Sequence, residues 1–313
     1  MREHKLNLIE NFIQGTNNKN KPKRKSFGYQ TLGFGSGSAA APFDLHYLVV
    51  AGGGGGGGGN AGGAGAGGFR ISYDSPLANP GGALPDLAPG SYAVTVGGGG
   101  AQSPGPDNLG TQGVDSVFNP GGSEGTNMIT SSGGGKGLPG SPSDPGGEDG
   151  GSGGGTGQYT SPVTAGSGNT PPVSPPQGNP GGPRVPTGGR ASGGGGAGAT
   201  GGTFPGHGPG VSGAGGAGVS SDISGSSVTR AGGGGGGANG NETAGNPGPG
   251  GGGAGGDGGF PQSGSGGGGS GVIILRVPGT TNISVAPGTN GTSTAPNGDN
   301  VATFNVTGTF TVS

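Results

Sequence analysis

"LHYLVVAGGGGGGGGN", residues 45–60, decides how this chain is read. Six residues with the apolar, β-branched content of a buried strand run through Ala51 into eight consecutive glycines. A glycine run has no side chains to bury, and ordering each residue costs about 1–2 kcal/mol of backbone entropy, most of all for glycine. Such a run is held by main-chain contacts or it is not held.

The problem extends along most of the chain. Of 313 residues, 94 are Gly and 28 Pro, and only 25% are hydrophobic. Uninterrupted glycine runs occupy 52–59, 97–100, 133–135, 153–155, 193–196, 232–237, 250–253 and 266–269. They recur without a fixed period, which argues against a solenoid. They also lack the strict third-position glycine of collagen. Strand-like segments stand at their borders: 45–51, "FRISY" (69–73), "SYAVTV" (91–96), "SSVTR" (226–230) and "GVIILRV" (271–277).

Glycine in polyproline II conformation leaves N–H and C=O groups free for neighbouring chains and lets backbones approach closely. Net gains of about 0.5–1.5 kcal/mol per N–H···O bond, with weaker Cα–H···O contacts, are comparable with the ordering cost. The expected fold class is therefore mainly irregular and β: a bundle of packed polyproline II glycine helices bordered by short strands. Side chains are expected only where a helix faces solvent. "NPGG" at 79–82, 119–122 and 179–182, with "NPGPGGGG" at 246–253, reads as a reused turn. The competing reading is a disordered low-complexity spacer. It leaves the bordering strands without partners.

Four segments follow. Residues 1–14 hold Leu6, Ile9, Phe12 and Ile13 at helical spacing, an expected amphipathic anchor helix that orders on docking; a frayed tail is the alternative. Residues 15–42 are a linker, first basic, then rich in Gly, Ser and Ala. Residues 43–278 are the glycine-rich domain. Residues 279–313 are a β tail, either an appendix or a strand for a neighbouring subunit, with Phe304, Val306, Phe310 and Val312 expected on one face.

Residues 1–26 carry seven Lys/Arg against Glu3 and Glu10, a net of +5, while the rest of the chain is at −7. The glycine region has no basic face for nucleic acid, and the basic stretch 17–26 reads as a solvated linker. No segment is long and apolar enough for a membrane helix or a secretory signal, so no membrane insertion is expected. Cysteine is absent, which removes disulfides and thiolate metal sites.

The search for chemistry yields little. About eight GxGxxG matches are expected by chance at this glycine content, so they carry no dinucleotide signal. "SGGGKG" (132–137) lacks the Ser/Thr that a P-loop needs after Lys136. His4, His46 and His207 have no neighbour at metal-ligand spacing, and His46 reads as a strand-face residue. Glu148 and Asp149 read as a solvated loop tip. The sequons at Asn241, Asn282, Asn290 and Asn305 carry no weight without a secretory route. No nucleophile and base are paired, and the expectation is a non-enzyme without cofactor or metal. Tyr159, Phe204 and Phe260 stand alone among glycines, where they either anchor a partner or cap the glycine packing. His207 lies in a similar loop.

"YLVVAGGGGGGGG", "GGFR", "SYAVTVGGGG", "SGSSVTRAGGGGGG" and "SGVIILRVP", in this order over 43–278, resemble the glycine-rich domain common in tail-fibre and virion proteins of bacteriophages, especially marine ones. Arg230 stands where that pattern usually has an aromatic. The resemblance implies a virion structural protein, assembled in the host cytoplasm and carried on the extracellular particle. It would meet other virion proteins through its N-terminal segment, alone or as a protomer of a larger homo-oligomeric fibre. The loops bearing Tyr159, Phe204, His207 and Phe260 would then face a host glycan or protein. A capsid decoration or extracellular fibril subunit without receptor binding is the alternative.

Overall fold

The computed structural model describes residues 41–73, 82–105, 108–140, 147–158, 164–184, 190–203, 212–237 and 265–313. Residues 1–39 and 40–313 are separate units, and the expected anchor helix with Leu6, Ile9, Phe12 and Ile13 lies outside the described residues.

Two apolar strands organise the second unit. β1 (Phe43–Val50) and β9 (Val272–Val277) pair antiparallel from His46↔Arg276 to Val50↔Val272. β2 (Phe69–Ile71) and β3 (Leu84–Leu87) pair with the other edge of β1. β12 (Asn300–Phe304) lies between β9 and β11 (Gly291–Thr294) and completes the first sheet, β11-β12-β9-β1-β2. The second sheet runs β10 (Ile283–Ala286), β13 (Gly308–Val312), β4 (Gly90–Thr95), β5 (Ser116–Phe118) and β6 (Ile129–Ser131). β7 (Val219–Ser221) and β8 (Val228–Arg230) form a hairpin.

Alternation along β1 explains the apolar run in its second half, 47–50. Phe43, Leu45, Tyr47 and Val49 join Ile273, Leu275 and Val277 of β9 in a core shared with Val94, Phe118, Ile129, Phe310 and Val312 of the second sheet. Leu48 and Val50 point the other way, with Ile274, Phe69 and Ile71, into a second core that includes Val219 and Ile223. A sheet buried on both faces needs apolar residues in both phases, so 47–50 of β1 and 272–275 of β9 read as continuous runs.

The residues of 279–313 are thus built into both sheets. Phe304, Phe310 and Val312 are buried, but Val306 is 42% exposed. The chain turns at 305–307 between β12 and β13, which breaks the expected alternation. There Asn290 Oδ1 accepts from the N–H groups of Asn305 and Val306, at 3.1 and 3.2 Å.

The expected fold class is corrected. The described residues form antiparallel β-sheets with no helix among them, and no bundle of polyproline helices is the organising element. The side-chain cores lie between strands, and the glycine runs are irregular threads attached to strand ends. The reused turn also fails. Asn119 to Gly122 is a turn, with Asn119 (φ 52) and Gly121 (φ 94) left-handed and Gly122 N–H donating to Asn119 O. In 179–182, by contrast, Gly181 and Gly182 donate to distant threads at Gly166 and Gly193. The other two copies fall wholly or mainly outside the described residues.

Phe310→Ala should cost about 3–5 kcal/mol of unfolding free energy, whereas Val306→Ala should stay within about 0.5 kcal/mol. Denaturant titration of the two variants measures the difference.

Candidate functional site

The glycine runs leave the strands at one end of the sheets and prolong their register. Beyond Val50↔Val272, Gly53 N–H donates to Gly269 O (2.9 Å) and Gly56 N–H to Gly266 O (2.9 Å). Beyond Val50↔Phe69, Ala51 donates to Gly68 O and Gly54 to Gly65 O. Beyond Val94↔Phe118, Val114 donates to Gly98 O and Thr111 to Ala101 O. The β7–β8 pair continues in the same way through Gly233 to Gly216 and Gly236 to Gly213.

The spacing changes where the side chains end. A strand alternates between two sides, but successive amides of thread 51–58 turn to three different neighbours. Gly52 and Gly55 donate to Val114 and Thr111, Gly53 and Gly56 to Gly269 and Gly266, and Gly54 to Gly65. Carbonyls of the same thread accept from Gly100, Ser103, Gly134 and Gly137. The array is therefore three-dimensional where a sheet is two-dimensional. Seven of the eight amides of 51–58 find a main-chain acceptor. They have to, because the thread is fully buried and each buried orphan would cost about 1–3 kcal/mol.

The absence of Cβ atoms is what permits this approach. A Cβ on Gly52 would sit 2.0 Å from Gly98 O, on Gly55 1.9 Å from Ala101 O, and on Gly58 1.9 Å from Gly105 O. These obstacles are backbone and cannot rotate away. Alanine occurs at the solvent face of the array, as expected, at Ala101, Ala214 and Ala217, but it also occurs inside it. Ala51, Ala61, Ala64 and Ala66 are wholly buried, and Ala66, Ala197 and Ala231 point into the second core.

Polar side chains pin the outer threads. Gln177 Oε1 accepts from Ser132 N–H (2.8 Å), while its Nε2 donates to Pro171 O and Ser132 Oγ. Asn179 Nδ2 donates to Gly196 O and Ala197 O, both at 2.9 Å. Asp149 belongs to this set as well, its Oδ1 accepting from Ser167 N–H, whereas Glu148 takes part through its main-chain oxygen, which accepts from Gly154 N–H. Lys136 lies 3.6 Å from the half-exposed Glu148 carboxylate, a pair worth little in water.

The sequence model of one family, described as a glycine-rich domain, matches residues 35–278. The chain belongs to the glycine-rich domain family. The match covers the whole stretch that carries the resemblance. No curated protein is matched by the chain.

The far end of the glycine-rich domain's array is the tip, where the first thread reverses at Gly59 (φ 64) and Asn60 (φ 53). Gly140 donates to Gly59 O, Gln158 to Asn60 O and Gly237 to Ala61 O. Gly105 O lies against Gly58, and Ser212 Oγ donates to Gly237 O. Residues 106–107, 141–146, 159–163 and 238–264 follow directly on Gly105, Gly140, Gln158 and Gly237, and 204–211 directly precede Ser212. Tyr159, Phe204, His207 and Phe260 all fall within these stretches and so lie outside the described residues. What the structure brings to one place is their flanking residues.

At the other end of the first sheet the second core turns polar. Arg276, buried within β9, sends Nε to Asp299 Oδ2 (3.0 Å) and Nη1 to Ile223 O (3.3 Å), with its guanidinium 4.1 Å from the Tyr73 ring centre. His46 packs edge-on against Tyr73 and faces the Ser72 carbonyl at 3.3 Å, on a strand face as expected. Burial raises the Asp299 carboxyl. The hydrogen bond from Asn297, together with the hydrogen bond and charge of Arg276, outweighs that and holds it below its ordinary value. Burial alone lowers Arg230, the residue that departs from the family resemblance. Among the described residues no group of three His, Asp or Glu side chains is placed to hold a metal.

Gly55→Ala should destabilise by about 3 kcal/mol or more, and Gly98→Ala, where no described atom lies within 4 Å of an added Cβ, by less than about 0.5 kcal/mol. Thermal and denaturant unfolding measure both. Because the folded Asp299 carboxyl is depressed, its contribution is present above the unfolded value near ~3.9 and is lost as pH falls through the folded value. Asp299→Asn should therefore lower stability at neutral pH and flatten its decline in acid, as read from denaturation midpoints across pH.

Proposed function

We propose that the chain is a virion structural protein, a phage tail or fibre component whose glycine-rich domain projects from the particle and presents its tip to the host surface. Support comes from the gathering of chain connections at the tip. Stretches following Gly105, Gly140, Gln158 and Gly237, and the stretch preceding Ser212, start or end beside residues 58–61. Recognition residues are commonly carried on connections that a rigid scaffold holds in place. Here a cross-bonded array would be the scaffold, and Tyr159, Phe204, His207 and Phe260 would be contact residues for a glycan or protein. At the opposite end of the sequence, residues 1–14 would dock on another virion protein through Leu6, Ile9, Phe12 and Ile13, with 15–42 as spacer. The role is that of a binding and building element, without catalysis.

Host cells pre-incubated with excess purified full-length chain should adsorb fewer of the phage that carry it, and a chain with Tyr159, Phe204 and Phe260 all changed to Ser should compete less. Undiminished adsorption at saturating chain would favour a structural element without receptor binding, such as a decoration or fibril subunit.

A further inference from the structure

Among the described residues the array has an open edge. Threads 97–103 and 265–271 lie side by side, with Gly268 N–H donating to Gly100 O (2.8 Å) and Gly271 N–H to Gly97 O (2.9 Å). Gly99 and Gln102 on the first thread and Gly267 and Ser270 on the second make no hydrogen bond to any described residue. All four are exposed or half-exposed, and within each thread they stand three residues apart, the repeat of amide direction inside the array. Their main-chain groups are the counterpart of an unpaired β-edge.

Two glycines at this edge lack an internal reason. No described atom lies within 4 Å of a Cβ built on Gly98, and the nearest to one on Gly267 is at an ordinary 3.6 Å. Neither has a left-handed backbone. Interior glycines such as Gly55, with Ala101 O at 1.9 Å, have no such room. Residues 97–103 and 265–271 also contain no charge and no proline, the usual devices that keep an edge from pairing.

We propose that this edge docks on the same edge of a second copy of the chain, through main-chain hydrogen bonds between glycine threads. An occupant must repeat its amide direction every three residues and fit against the space left open at Gly98 and Gly267, and the identical edge has that repeat and carries glycine at both places. A two-fold axis sets like threads antiparallel, an arrangement already present between 51–58 and 265–271, and closes the pair as a dimer. Threads of seven residues bury far less than the ~800 Å² per partner of a standard stable interface, so the dimer dissociates in the micromolar range or above. The inference does not depend on the virion reading.

Sedimentation of the full-length chain from ~10 μM to ~1 mM should show a rising dimer fraction. Gly98→Asp/Gly267→Asp should remain monomeric over that range with an unchanged unfolding midpoint. At the high concentration, amide exchange at Gly99, Gln102, Gly267 and Ser270 should slow in the wild type alone. A wild-type chain that stays monomeric, a variant that dimerises equally, or edge amides that exchange at a concentration-independent rate would each overturn the proposal.

Discussion

The structure depends on main-chain hydrogen bonds between glycine threads at separations that no Cβ allows. A conventional core excludes water with side chains and uses the backbone to arrange them. Here the excluded volume is the backbone itself, and its polar groups must be paired because nothing else fills the space. Gly55 illustrates the constraint: its amide reaches Thr111, its carbonyl takes Gly137, and the place of its missing Cβ is occupied by Ala101 O. Glycine content and hydrogen-bond pattern are therefore one requirement, since a side chain at such a position would displace the acceptor that its neighbours use.

Glycine threads by themselves have no means of choosing partners, because one glycine matches another at any offset. The strands supply the choice. β1 and β9 are locked by side-chain packing on both faces, and the threads leaving Val50 and entering Val272 inherit their pairing without a slip. A one-residue shift would turn Leu48 and Ile274 from one core to the other, so the register is strongly specified. Side-chain energy thereby fixes an arrangement in which side chains take almost no part. The polar pins Gln177, Asn179 and Asp149 serve the outer threads, which no long strand anchors.

This division explains what was legible in the sequence. The strands at 45–51, 69–73, 91–96, 226–230 and 271–277 all recur in the structure because their apolar content has a readable pattern. β3, β5, β6 and β7 were not anticipated; at three or four residues they are too short to show alternation. The fold class is not legible because glycine dominates the composition, whereas antiparallel pairing of the apolar minority sets the architecture. The buried alanines are illegible for a related reason: sequence does not reveal that Ala66 and Ala231 border a side-chain core. The neighbours of each thread, and the tip as a meeting point, follow from the order of strands in two sheets, which local sequence does not encode. The family was legible through its ordered borders; a role in a virion extends beyond what those borders establish.

Residue-resolved native-state hydrogen exchange tests the central claim most directly. If the threads are a cooperative continuation of the strands, the amides of Gly53, Gly54, Gly55 and Gly56 exchange only on the global unfolding that also releases Leu48 and Ile274. Exchange of those glycine amides at unprotected rates, while the β1 and β9 amides stay protected, would contradict the account.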